Sequence, residues 1–259
     1  MLLTARIAAA GLVAALTAGL VAPVATAAPH PADRRAPRPM LSSVSDQVVA
    51  GQKLVLKGAV APAAKGVTVI LQKRVAGKKW VEETRLRTNH NGGFTYRDKP
   101  HVAGARSYRA VVPGGGRSKP VTVTVYRWQS LTDVAIRSSS YTYKDRSASI
   151  NGHRYARVVH GYNQSQLAEG YADWNLGRQC LKLRTAAGLG DASDAAAGAT
   201  VTLTGDSTQL YTQSFTLGQS ATTTADVTGV FRLTFGWTAA NPLANTQPML
   251  GDPEVLCAF

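Results

Sequence analysis

The chain has 259 residues, with 29 Lys/Arg against 15 Asp/Glu, a net charge of +14 and two cysteines. A surplus of this size speaks for non-specific attraction to anionic surfaces, and by itself defines no specific site. Neither cysteine sits in a Cys-x-x-Cys or beside a histidine, which argues against a structural metal centre.

The N-terminus begins with Arg6, an uninterrupted Ala/Leu/Val/Gly run from Ile7 to Leu20, Pro23, and the small-residue sequence Ala25-Thr26-Ala27. That order predicts a secretory signal peptide over residues 1–27, too short and too rich in Ala and Gly for a membrane anchor. No later stretch is apolar and long enough to span a bilayer as a helix. Export would place Cys180 and Cys257 in an oxidising compartment, where an even pair forms a disulfide. Residues 28–40, APHPADRRAPRPM, are rich in Pro and Arg and read as a solvated tether.

Residues 41–259 suffice for one large or two modest domains. Charge divides them: 41–125 holds 15 Lys/Arg against 4 Asp/Glu, and 126–259 holds 10 against 10. The expected organisation is two domains, 41–125 and 126–259.

The first region gives short β-branched or aromatic runs without a helical period. GQKLVLKGAV is followed by VTVILQKRV and KKWVEE, joined at Ala76-Gly77. Asn89-His90-Asn91-Gly92-Gly93 is a turn signal before FTY, and Pro113-Gly114-Gly115-Gly116 separates YRAVV from VTVTVY. The pattern predicts a sandwich of about seven strands. The Val-x-Leu-Gln strand, Lys-Trp strand, Asn-Gly-Gly-Phe hairpin and Tyr-Arg strand, in this order, resemble the bacterial Ig-like or fibronectin-like repeats of secreted actinobacterial proteins. The resemblance implies a spacer or adhesion module. Lys53, Lys57, Lys73, Arg74, Lys78, Lys79, Arg85 and Arg87 supply its charge. They admit a solvated surface or attraction to anionic cell-wall polymers. Specific nucleic-acid binding is disfavoured, because stacking aromatics are sparse and no recognition helix is visible.

The second region opens at Arg127-Trp128. Asn151-Gly152 marks a hairpin, the Cys180–Arg184 run alternates, and Gly205-Asp206 and Thr228-Gly229 mark further turns before a terminal strand EVLCAF. Residues 192–199 read as a loop, and the whole as a second β-sandwich, a jelly-roll. The fold class expected is therefore all-β, an Ig-like sandwich followed by a jelly-roll. Leu131-Thr132-Asp133, Ile150-Asn151-Gly152 before Tyr155, Trp174-Asn175-Leu176, Gly188 to Asp191, Val201-Thr202-Leu203 with Gly205-Asp206 and Leu210-Tyr211, and Asp226 to Gly229 before Phe231 resemble the NPCBM family of carbohydrate-binding modules. The resemblance covers most of 126–259 and implies a galactose-binding-like sandwich that recognises a glycan. Of that family's His-Ser segment only His160 has a counterpart, and the family's terminal His-x-Asp-Trp-like segment is replaced by NTQPMLGDPEVLCAF.

No nucleophile elbow, His-Glu-x-x-His or phosphate loop occurs, so no catalytic residue, cofactor or metal is expected. Asp191, Asp206 and Asp226 adjoin turn signals and read as turn-capping groups. A sugar site needs an aromatic platform with planar hydrogen-bonding side chains beside it. Tyr141, Tyr143, His160, Tyr162, Asn163, Gln164 and Tyr171 form the richest such set, flanking the Asn151-Gly152 hairpin. Trp174 and Trp237 lie in alternating runs and are expected in the core. The expected protein is an exported, monomeric, non-catalytic glycan binder; the alternative is an adhesion protein held at the anionic envelope by its basic region.

Overall fold

The computed structural model describes residues 36–145, 147–163 and 168–259. The signal peptide, most of the tether and Gln164 lie outside them. The described chain is all-β apart from one 3-10 turn at Leu131–Asp133.

The basic region supplies β1 (Arg38–Ser43), β2 (Gln47–Val49), β3 (Leu54–Ala61), β4 (Thr68–Val75), β5 (Val81–Arg87), β6 (Gly93–Asp98), β7 (Gly104–Val111) and the long β8 (Val121–Ser130). They form a sheet in the order β1-β3-β6 facing a sheet that runs β8-β7-β4-β5, with β2 parallel to β8. Period-2 alternation decides the packing. Leu54, Leu56 and Val60 of β3 and Phe94 of β6 meet Val69 and Leu71 of β4, Tyr108 and Ala110 of β7 and Val123 of β8. Residues 38–40, expected in the tether, instead open β1: Arg38, Pro39 and Met40 register with Ala61, Val60 and Ala59. Pro39 is tolerated because β1 is an edge strand, where a missing N–H breaks no ladder on the outer side.

The turns behave as their residues dictate. Asn89 Oδ1 accepts from the N–H groups of Asn91 and Gly93, an Asx turn that feeds β6. Gly92 has φ +72°, and a Cβ there would lie 2.7 Å from the Val60 carbonyl, so only glycine fits.

The second region supplies β9 (Ile136–Ser140), β10 (Thr142–Asp145), β11 (Ala148–Ile150), β12 (His153–Tyr155), β13 (Val158–Gly161), β14 (Glu169–Asn175), β15 (Cys180–Leu189), β16 (Gly198–Gly205), β17 (Thr208–Thr216), β18 (Ser220–Asp226), β19 (Arg232–Ala239) and β20 (Pro248–Cys257). One sheet runs β17-β16-β19-β14-β9. The facing sheet is centred on β20, which pairs with β15 on one flank and with β13 and β8 on the other; β18 extends it beyond β15 and β10 beyond β13. Between the sheets lie Trp174, Phe235, Trp237, Leu183, Leu203, Leu250 and Val255, all buried. Both tryptophans expected in the core are there. The β11–β12 hairpin turns at Asn151 (φ 51°) and Gly152 (φ 72°), the two positive values of a type I′ turn. It lies over the outside of the sheet, where Tyr155 packs on Gly251 and Ile150 on Gly188.

Cys180 and Cys257 are register partners and form the expected disulfide. The aspartates expected at turns cap them. Asp191 accepts from Gly152 N–H, Asp206 from the N–H groups of Phe231 and Arg232, and Asp226 from Thr228 N–H.

Candidate functional site

The site is built around a buried indole. Trp237 of β19 is covered by Gly161 of β13 and Gly170 of β14; a Cβ on either glycine would fall 2.3 Å and 2.6 Å from its ring atoms. Its Nε1–H donates to Thr142 Oγ1 at 3.0 Å, and the Thr142 hydroxyl donates on to the Ser140 carbonyl at 3.0 Å. A hydrogen-bonded chain thus fixes the start of β10 to the core and holds the residue between, Tyr141, at the corner where the chain passes from one sheet to the other.

Tyr141 has φ 46°, in the left-handed region. For a bulky L-residue this conformation costs roughly 1 kcal/mol or more. Its carbonyl accepts from Tyr162 N–H at 3.0 Å, which ties the corner to the end of β13. The side chains of Tyr141 and Tyr143 are 37% and 54% exposed. Tyr143 registers with His160, their ring centroids 5.9 Å apart and tilted by 40°. Burial pushes the His160 imidazole below its ordinary pKa, with Asp145 opposing the shift. The shift favours the neutral ring, whose Nδ1 is buried with no hydrogen-bond partner among the described residues.

Alternation separates the expected set. Val159 belongs to the core and Gly161 faces Trp237, so His160 and Tyr162 point outward from the sheet of β13. Tyr143 joins them there. Ala172 and Trp174 point into the core, so Tyr171 stands on the outside of the opposite sheet, its hydroxyl 3.1 Å from Ser138 Oγ. Asn163 is buried: its Nδ2 donates to the carbonyls of Pro242 and Ala244 at 2.9 and 3.1 Å. It braces the loop after β19 and has no face for a sugar hydroxyl, a correction to its expected role. What remains together is the ring pair Tyr143 and His160, with Tyr141 and Tyr162 joined next to it through the backbone.

A second concave feature was not expected. A groove of about 550 Å³ runs beside β8 and β20, lined by Arg127, Trp128, Ser130, Asp133, Arg157 and Glu254. Two of its carboxylates are paired. Arg157 pairs with Asp133 and Arg184 with Glu254, and the Arg184 guanidinium lies 4.2 Å from the Trp128 ring centroid. Lys144 Nζ donates to the carbonyls of Thr132 and Val134, and burial lowers its pKa. Trp128 of β8, Asp133 of the 3-10 turn and Arg157 of the segment between β12 and β13 come from separate stretches of the chain, which hides this groove from the sequence. Among the described residues no group of three or more His, Cys, Asp or Glu side chains is placed to hold a metal, and no helix is long and apolar enough to cross a membrane.

No family model and no curated protein matches the chain. It is similar to several solved structures. One is the M60 catalytic domain with the CBM51-1 and CBM51-2 domains from Clostridium perfringens ZmpB, at 10% identity and TM-score 0.43, covering 85% of this chain. The chain spans 31% of the length of that structure. Another is CBM51 from Clostridium perfringens GH95 in complex with methyl-galactose, at 12% identity and TM-score 0.39, over 49% of this chain and 99% of that one. A third is the CBM22-1 xylan-binding domain of Paenibacillus barcinonensis Xyn10C, at 11% identity and TM-score 0.33, over 51% and 92%. These structural neighbours are carbohydrate-binding modules. Likeness at this level carries no ligand over to this chain.

Proposed function

We propose that the protein is an exported, monomeric, non-catalytic glycan binder. Its second sandwich, read as NPCBM-like, would present the ligand shelf, and its basic first sandwich would add attraction to anionic polymers of the cell envelope. The observation that carries this reading is Tyr141: an exposed aromatic kept in a left-handed conformation, beside an exposed Tyr143 and a half-buried neutral His160. Backbone strain of this kind persists where the surroundings over-determine it, and it concentrates at ligand sites. The CH face of a pyranose can lie on the tyrosine rings while imidazole and phenol groups meet its hydroxyls. The disulfide fits an oxidising compartment.

A glycan array probed with the full secreted chain tests the reading. Tyr143→Ala should abolish binding while changing stability by no more than about 0.5 kcal/mol, since the side chain is half exposed. Tyr141→Gly should also lose binding yet be as stable as the parent or more so, because glycine removes the left-handed cost. A blank array from a well-folded protein, or full binding by both variants, overturns the proposal.

A further inference from the structure

The outer face of β4 and β7 carries a different kind of site. Leu71, Tyr108 and Ala110 point into the core, so Gln72, Arg74, Ser107 and Arg109 point out. Trp80, just before β5, lies against two of these side chains. The Arg74 guanidinium is 4.8 Å and the Arg109 guanidinium 4.3 Å from its ring centroid. Gln72 Oε1 accepts from Arg109 Nε at 2.8 Å and fixes the plane of that group. Arg117 is brought alongside by its bridge to Val111 at the end of β7.

These charges are not balanced locally. Burial, then the like charges of Arg117 and Arg74, push the pKa of Arg109 down. Among the described residues no carboxylate pairs with any of the three arginines. Their neighbours differ: Lys73 pairs with Glu83 at 2.6 Å and Arg85 with Glu82 at 2.8 Å. Where β5 neutralises its own surroundings, the Trp80 cluster is left cationic. Stacking covers the face of a guanidinium and leaves its N–H edge free to bind an oxyanion in a forked geometry.

We propose that Arg74, Arg109 and Arg117, ordered around Trp80, form a binding site for an anionic polymer, whose repeated phosphate or carboxylate groups are taken by the guanidinium edges. This rests on the reading that the basic sandwich has an anionic partner, and it is independent of the tyrosine shelf. A nucleic acid is the poorer fit, because the indole that would stack a base already stacks two guanidinium groups.

Surface binding of the full chain to immobilised poly(glycerol phosphate) and polygalacturonate, at about 150 mM salt, tests the site; the two polymers separate phosphate from carboxylate as the preferred group. Dextran serves as the neutral control and an oligo-dT strand as the nucleic-acid control. The decisive variant conserves charge: Arg74→Lys with Arg109→Lys should weaken binding by about tenfold or more, because lysine keeps the charge and loses the fork and the stack. Trp80→Ala should do the same, while Lys53→Ala with Lys57→Ala, two charges on another face, should cost less than about threefold. If the double lysine variant binds as the parent does, charge alone is at work and the site is overturned while the anionic partner survives. If neither polymer is bound above dextran, both fall. Preference for oligo-dT would overturn the proposal in favour of a nucleic-acid partner.

Discussion

Gly161→Ala tests the device that positions the tyrosine shelf. A methyl group there would lie 2.3 Å from Trp237 Nε1 and 2.5 Å from Cε2. The indole is 2% exposed and has nowhere to withdraw, so either β13 or the ring must move. Overpacking of a filled core costs about 1–3 kcal/mol. Displacing the ring also breaks its bond to Thr142 Oγ1, worth about 1 kcal/mol. The expected loss is about 2–4 kcal/mol, measured as a shift of the urea midpoint at unchanged slope. The sign is informative, because Gly→Ala without a clash would stabilise by about 0.4–1 kcal/mol through the unfolded state. Thr142→Val supplies the coupling. If Gly161→Ala already breaks the Trp237–Thr142 bond, the double variant should lose less than the two single losses together. Stability within about 0.5 kcal/mol of the parent, or strict additivity with Thr142→Val, would refute the argument that Gly161 is kept for the indole.

Replacing Cys180 and Cys257 together by alanine opens a closure of 77 residues and should cost about 4 kcal/mol by the loop-entropy model, read from denaturant midpoints of oxidised parent and variant. His160 predicts a pH effect. Its native pKa lies below the ordinary value because of burial, so the unfolded chain takes up a proton that the native state refuses. Stability should fall as the pH drops below about 6.5 and level off once the native imidazole also titrates; His160→Gln should flatten this limb in a pH series of unfolding curves. Asp206 acts at lower pH. The N–H groups of Arg232 and Phe231 hold its pKa below the ordinary value, so its contribution is complete above the unfolded carboxylate pKa and is lost as the pH falls toward the native one. Asp206→Asn should make the acid limb shallower, and an unchanged limb would count against the capping role.

Local chemistry made much of this fold legible. Asn151-Gly152 demanded a hairpin because both positions take positive φ, and Asp206 sat where a turn needs an acceptor. Trp174 and Trp237 lay in alternating runs whose parity placed them inside. The tyrosine cluster was legible only in part. Alternation predicts which side of its own strand a residue takes, and not which sheet that strand joins. Tyr171 and Tyr143 both face outward, but from opposite sheets, because the chain changes sheets at Tyr141. The bracing role of Asn163 is not legible in the sequence, because polar residue type says nothing of the carbonyls of Pro242 and Ala244, which come from 79 and 81 residues away. The Arg74–Trp80–Arg109 stack was hidden for the same reason: its members meet only after β4 pairs with β7. A usable signal existed, since Gln72, Arg74 and Arg109 hold the parity opposite to the core residues Val69, Leu71, Tyr108 and Ala110 of the same strands.

The break in composition at 125/126 falls within β8. Val121 to Val125 register with β7, and Arg127 to Ser130 with β20. Tyr126 between them registers with Val49, and its carbonyl accepts from Ala50 N–H at 2.7 Å. No residue at the boundary is free of the ladder, so the two sandwiches share a strand where a composition break usually suggests a linker. This alters the avidity expected of two sites on one chain. With a flexible linker, effective concentration depends on linker length and tolerates many spacings. With a shared strand the spacing is set by β8, and simultaneous engagement requires a surface or polymer that matches it. The disulfide strengthens that constraint, since Cys257 is also the register partner of Arg127 at the junction. The oxidised parent should therefore be retained on a glycan-bearing, anionic surface more strongly than either sandwich's site alone explains. Removing the disulfide should reduce that excess before it reduces binding of a short ligand at either site. Equal losses in both assays would show that the two sites act without a fixed spacing.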